Sequence, residues 1–170
     1  MRDGLAVAPM LAGGEQERGH RPGTHAVPAI VGFGAAAALA AAGRAAERAR
    51  LAELQRAFES VVLALPGVSL NGAGAVRSVK HTNVRVAGAD GETLLMLLDE
   101  AGVYASAGSA CAAGSVEPSH VLLAMGLDRG EARASVRFSF GRAVGLEDVL
   151  EAARRLETAV ERARAVAARG

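Results

Sequence analysis

Cysteine occurs once, lysine once and tryptophan not at all, and aromatic residues make up only 3% of the 170-residue chain. The single cysteine, Cys111, excludes an intramolecular disulfide framework and any paired-cysteine metal site. The histidines, His20, His25, His81 and His120, show no ligand spacing such as HExxH, so no metal is expected. Of 19 basic residues only Lys80 is a lysine, and there are 39 alanines; this reads as a bias toward Ala and Arg, so alanine content alone carries little weight. A net charge of +1 argues against a protein that coats nucleic acid or another polyanion. With 51% apolar and 22% charged residues, the composition is that of a folded chain long enough for one sizeable core.

The first residues, Met1 to Gly14, lack the basic start, apolar run and small-residue cleavage site of a secretory signal, and a cytoplasmic location is expected. From Pro22 to Gly43 there is no Lys, Arg, Asp or Glu, which invites a membrane-spanning reading. Two prolines, several glycines and an excess of alanine, which gains little from lipid, argue instead for a small-residue helix packed on a protein surface. No solenoid-length repeat and no Pro- or Ser-rich linker interrupts the chain. Arg154, Arg155, Arg162 and Arg164 alternate with Glu151, Glu157 and Glu161, the pattern of a solvated helix face and not of a nucleic-acid site.

Periodicity predicts a long helix from Pro28 to about Leu65, bent near Gly43, with Leu51, Leu54, Phe58, Val61 and Leu65 on one face. A short strand at Val68–Leu70 follows, then a turn through Asn71–Gly74 and a strand over Thr82–Val86. Glu92–Glu100 is helical and ends at Gly102, Val103–Ala105 is a brief strand, and a short helix runs to Leu123. In the last predicted strand Val136, Phe138 and Phe140 alternate with Ser135, Arg137 and Ser139. A final amphipathic helix spans Leu146 to Ala168. The fold class is α/β: a small mixed sheet with helices packed on one face, preceded by a long helix.

Three places carry chemistry. Cys111 sits among ten consecutive Ser, Ala, Gly and Cys residues, a loop with nothing to anchor it in a core and nothing to hinder the sulfur. An isolated cysteine is commonly a small buried hydrophobe, but this setting suits covalent group carriage, and without a second cysteine it does not suit dithiol redox chemistry. Arg137 has two serines as neighbours on its strand face, which leaves room for a bidentate carboxylate; the alternative is a structural ion pair. Gly23–Thr24 precedes a helix start and offers a hydroxyl and backbone N–H groups to an anion, or serves as an N-cap.

Three motifs in order give the chain a family resemblance. Gly13–Thr24, ending in Arg-Pro-Gly-Thr, resembles the Gly-rich segment, and Ser109-Ala-Cys111 with Ser115-Val-Glu-Pro-Ser119 resembles the active-site cysteine loop, of the pyridoxal-phosphate-dependent cysteine desulfurases in the class V aminotransferase superfamily. Ser135-Val-Arg-Phe-Ser-Phe-Gly-Arg142 resembles their late strand with the substrate arginine. Glu15, His20 and Pro22 depart from the residues usual in the Gly-rich segment. The resemblance implies the C-terminal part of the fold type I architecture. Residues 1–27 would end the cofactor domain, 28–65 form the connecting helix and 66–170 the small domain.

It also implies that Cys111 takes the sulfur of L-cysteine as a persulfide and leaves alanine. Arg137 would hold the substrate carboxylate, and Thr24 would reach the pyridoxal 5'-phosphate phosphate, in the family usually that of the partner subunit of a homodimer. The sulfur would pass to an iron–sulfur scaffold or a thiolation protein. The Schiff-base lysine of the family follows a histidine upstream of the Gly-rich segment, whereas Lys80 precedes a histidine in another region. The chain is therefore expected to be the C-terminal part of a cysteine desulfurase and inactive alone. The alternative is a non-catalytic module that carries sulfur or binds a desulfurase.

Overall fold

A computed structural model describes residues 8–107 and 117–168. The chain divides into two compact units, Met1–Arg44 and Ala45–Gly170, with the boundary inside the first helix. That helix, α1 (Val27–Val62), is followed by β1 (Val68–Leu70), β2 (His81–Val86), α2 (Gly91–Glu100), α3 (His120–Ala124), α4 (Arg129–Arg133), β3 (Ser135–Ser139) and α5 (Leu146–Ala167).

The second unit is built around a three-stranded sheet in the order β1-β2-β3. Its apolar face carries Val84, Val86, Val136 and Phe138, and onto it pack Leu51, Leu54, Phe58 and Val62 of α1, Leu94 and Leu98 of α2, and Val149, Leu156 and Val160 of α5. Phe58 is fully buried and its ring lies 4.8 Å from that of Phe138 and 5.7 Å from that of Phe140. Three of the four phenylalanines thus meet in one cluster, where tilted and edge-on pairs each add about 0.5–1.5 kcal/mol beyond area burial. On α5, Val149, Ala153, Leu156, Val160 and Ala163 recur in helical phase and are buried; on α1, Val62 and Gln55 join the buried face, while Val61, and Leu65 just past the helix, are half-buried.

Two details of the sheet differ from expectation. The mixed sheet is, among the described residues, antiparallel throughout, with Val68 opposite Val86 and Asn83 opposite Arg137. The reason is where β3 begins: α4 ends beside the end of β2, with the Val86 N–H donating to the Ala134 carbonyl at 2.9 Å, so β3 starts where β2 finishes. The strand expected at Val103–Ala105 is replaced by a single antiparallel bridge between Ser106 and Arg137. The first residue of α2 lies so close to the last turn of α4 that it must be glycine, since a Cβ on Gly91 would stand 2.1 Å from the Arg133 carbonyl oxygen.

Inside the sheet's helical cover, Arg77 and Glu59 form a partly buried ion pair. Arg77 donates through both terminal nitrogens to Glu59, at 2.7 and 3.0 Å, and the buried Thr82 hydroxyl donates to the same carboxylate at 2.7 Å. Burial pushes the Glu59 carboxyl up, but the Arg77 and Thr82 hydrogen bonds outweigh it and hold the group below its ordinary value. A depressed folded value contributes stability above the unfolded carboxylate pKa, near 4.3, and loses it as pH falls through the folded value.

In the first unit the exposure is different in kind. None of the α1 residues up to Arg44 is buried, and Val27, Ile30, Val31, Phe33 and Leu39 are exposed. An 18-residue stretch of α1 is long and apolar enough, by length and composition, to cross a membrane, and none of it is buried.

Two outcomes follow. Glu59→Gln strands the Arg77 charge and weakens the Thr82 bond, so urea titrations should show a loss of about 1–3 kcal/mol at neutral pH and a shallower loss of stability below pH about 4.3. The purified chain should form oligomers through the bare apolar side of α1; a monodisperse monomer by light scattering overturns that expectation.

Candidate functional site

The second face of the sheet is polar, and strand alternation puts it there. His81, Asn83 and Arg85 of β2 stand opposite Ser139, Arg137 and Ser135 of β3, on the side away from Val84, Val136 and Phe138. Arg137 is exposed, and its guanidinium has no hydrogen-bond or ion-pair partner among the described residues. Its backbone is held from both sides: by Asn83 across β2, and by Ser106, whose N–H donates to the Arg137 carbonyl at 3.0 Å while the Arg137 N–H donates back at 2.7 Å. Ser106 opens the small-residue segment that contains Cys111. Cys111 itself, with residues 108–116, lies outside the described residues.

The two serines beside Arg137 are not equivalent. Ser139 is exposed, but Ser135 is fully buried, and its hydroxyl donates to the Glu131 carbonyl at 2.7 Å and accepts from Asn71 at 2.9 Å. The neighbours that sequence reasoning missed are Asn71 and Asn83. Arg85 donates to Asn71 Oδ1 at 2.9 Å and pairs with Glu131 at 3.3 Å, and Asn71 Nδ2 donates to Asn83 Oδ1 at 2.6 Å. The signal available was the strand period, which puts Asn83 and Arg85 on one face; Asn71-Gly72 read simply as a turn.

Thr24 lies in the first unit, three residues before α1, exposed and with no partner for its hydroxyl among the described residues. The preceding loop is self-closed: Gln16 Oε1 accepts from the Gly23 N–H at 3.1 Å, and Glu17 pairs with His25 at 3.0 Å. Glu17 and Arg18 adopt positive φ angles of 52° and 57°, costly for side-chain-bearing residues, and Gly23 sits at 102°. No group of three or more His, Cys, Asp or Glu among the described residues is arranged to hold a metal ion.

The family model for aminotransferase class V matches residues 10–151. The chain belongs to this family. Among its relatives, the IscS-like cysteine desulfurase of Mycobacterium tuberculosis is 42% identical over 169 residues, covering 98% of this chain and 43% of that protein. Cysteine desulfurase IscS 1 of Archaeoglobus fulgidus is 39% identical over 166 residues, covering 98% and 44%. A solved NifS-like protein from Rickettsia africae superposes with a TM-score of 0.78 at 27% identity, over 92% of this chain and 41% of that one. The chain therefore spans less than half the length of these relatives, and the α/β architecture of this class V aminotransferase chain is that of the NifS-like enzymes.

Pyridoxal phosphate dependence comes with the family, and the residues present fit one end of that cofactor. A free hydroxyl at Thr24 suits a phosphate oxygen. The imine end has no counterpart here: Lys80 is exposed in the turn before β2, where its backbone N–H donates to the Ser78 hydroxyl.

The polar face can be checked directly. Asn71→Ala removes the acceptor of Arg85 and the donor to Ser135 and Asn83; it should cost about 1–3 kcal/mol in urea melts, whereas Ser139→Ala should stay within about 0.5 kcal/mol.

Proposed function

We propose that this chain is the sulfur-accepting C-terminal portion of a cysteine desulfurase. The observation that carries the reading is the Ser106–Arg137 backbone pair. It fastens the start of the Cys111 segment to the strand whose arginine has a free guanidinium. Arg137 binds and orients the carboxylate of L-cysteine through its donor fork. Cys111 takes the substrate sulfur: the substrate C–S bond breaks, an S–S bond forms at Cys111, and the former substrate leaves as alanine with a proton in place of its thiol. Thr24 donates to the phosphate of pyridoxal 5'-phosphate, in a partner subunit of a homodimer. When bound, the cofactor supplies the electron sink that makes the C–S bond labile. The lysine and the groups that stack on the ring come from sequence outside these 170 residues, so the isolated chain does not turn over.

Further parts of this reading are a cytoplasmic location, packing of the first half of α1 against the remainder of the enzyme, and delivery of the persulfide to an iron–sulfur scaffold or a tRNA-thiolation protein. The exposed apolar side chains of α1 support the packing, and the naming of the relatives as cysteine desulfurases supports the handling of sulfur.

The test supplies the chain with a lysine-bearing N-terminal portion of a cysteine desulfurase as a separate polypeptide, together with L-cysteine and pyridoxal phosphate. Alanine should then be released and the intact mass should rise by one sulfur atom at Cys111, and Cys111→Ser should abolish the increment. The chain without the second polypeptide should release no alanine. Steady alanine release by the chain alone, or no sulfur on Cys111, overturns the reading.

A further inference from the structure

Building on the assignment of Arg137 as the carboxylate site, we propose that Asn83 is a second donor to the substrate carboxylate and sets the preference of this face for a carboxylate-bearing substrate. The orientation of its side-chain amide is dictated by a chain of hydrogen bonds. Arginine has donors and no acceptor, so the Asn71 atom that Arg85 meets at 2.9 Å is Oδ1. Both hydrogens of Asn71 Nδ2 are then directed at Ser135 Oγ, 2.9 Å away, and at Asn83, 2.6 Å away. Ser135 commits its own proton to the Glu131 carbonyl at 2.7 Å and receives from Asn71 as an acceptor. The Asn83 atom that receives from Asn71 must be Oδ1. Its Nδ2, with two N–H groups, is the outward arm and has no partner among the described residues.

Asn83 is half-buried and faces Arg137 directly across the β2–β3 pair. Opposed residues of an antiparallel pair hold their Cβ atoms about 4.5–5.5 Å apart. A guanidinium and an amide NH2 at that separation present donors to two oxygens of one planar anion. The charge matches a monoanion: Arg85 is engaged by Glu131 at 3.3 Å, and Arg137 has no counter-charge among the described residues. A carboxylate therefore fits better than a phosphate, which would need further cationic partners.

The test is a titration of the uniformly 15N-labelled chain, in dithiothreitol, with L-cysteine and with cysteamine, which lacks the carboxylate. The Asn83 NH2 pair and the Arg137 Nε–H should shift along one binding curve with L-cysteine, and neither should move with cysteamine. Asn83→Ala should weaken the affinity read at Arg137 about tenfold. Asn83→Asp keeps the acceptor for Asn71 but sets a negative charge opposite Arg137, and should abolish the response. If Arg137 responds while the Asn83 amide is silent, or if Asn83→Ala binds as tightly as the parent, Asn83 has no such role and the Arg137 assignment stands. If neither group responds, both fail. The amide shifts of the unsubstituted chain give this answer even if a variant does not fold.

Discussion

The pairing of β2 with β3 is the constraint on which the rest of the second unit depends. Strand side chains alternate between faces, so one register puts Thr82, Val84, Val136 and Phe138 into the core and Asn83, Arg85, Arg137 and Ser139 onto the polar side. A slip by one residue would drive a guanidinium under Phe58 and lift Phe138 into water. The apolar cluster thereby holds the chemistry in place without touching it, and the register is secured by burial, which is stronger than anything a surface arginine could contribute.

Arginine does a second job. Arg50 donates to the carbonyls of Val144 and Gly141 while paired with Glu47, Arg155 reaches the carbonyl of Ala101, and Arg164 bonds those of Ala87 and Pro66. Each fixes a loop to a helix through main-chain oxygens that would otherwise need water. Several donors on one planar head make this economical. The near-absence of lysine, read from composition as a bias, is also a supply of multidentate ties in a chain with few aromatics to spare.

Most of the fold was legible because its elements obey clean periods. The buried set of α5 and the alternation of β3 followed from spacing alone. The α4 helix was not read, although Asp128 and Glu131 form a capping box around it, because five residues show no period. The direction of strand pairing was illegible for a different reason: it depends on which end of β2 the chain returns to, and this is set by a hydrogen bond from Val86 to Ala134, forty-eight residues away in sequence. In the site, Arg137 stood out as a charge among strand residues. Asn71 and Asn83 did not, since an asparagine in a turn and another in a strand acquire meaning only when Arg85 and Ser135 arrive to fix which end of each amide is which.

That last arrangement ties sequence drift at one position to another. An aspartate at position 71 would satisfy Arg85 equally well, yet it has no N–H to give, and the amide at 83 would be free to turn its hydrogens inward toward it. Which end of the Asn83 amide faces outward is thus decided at position 71, twelve residues earlier in the sequence.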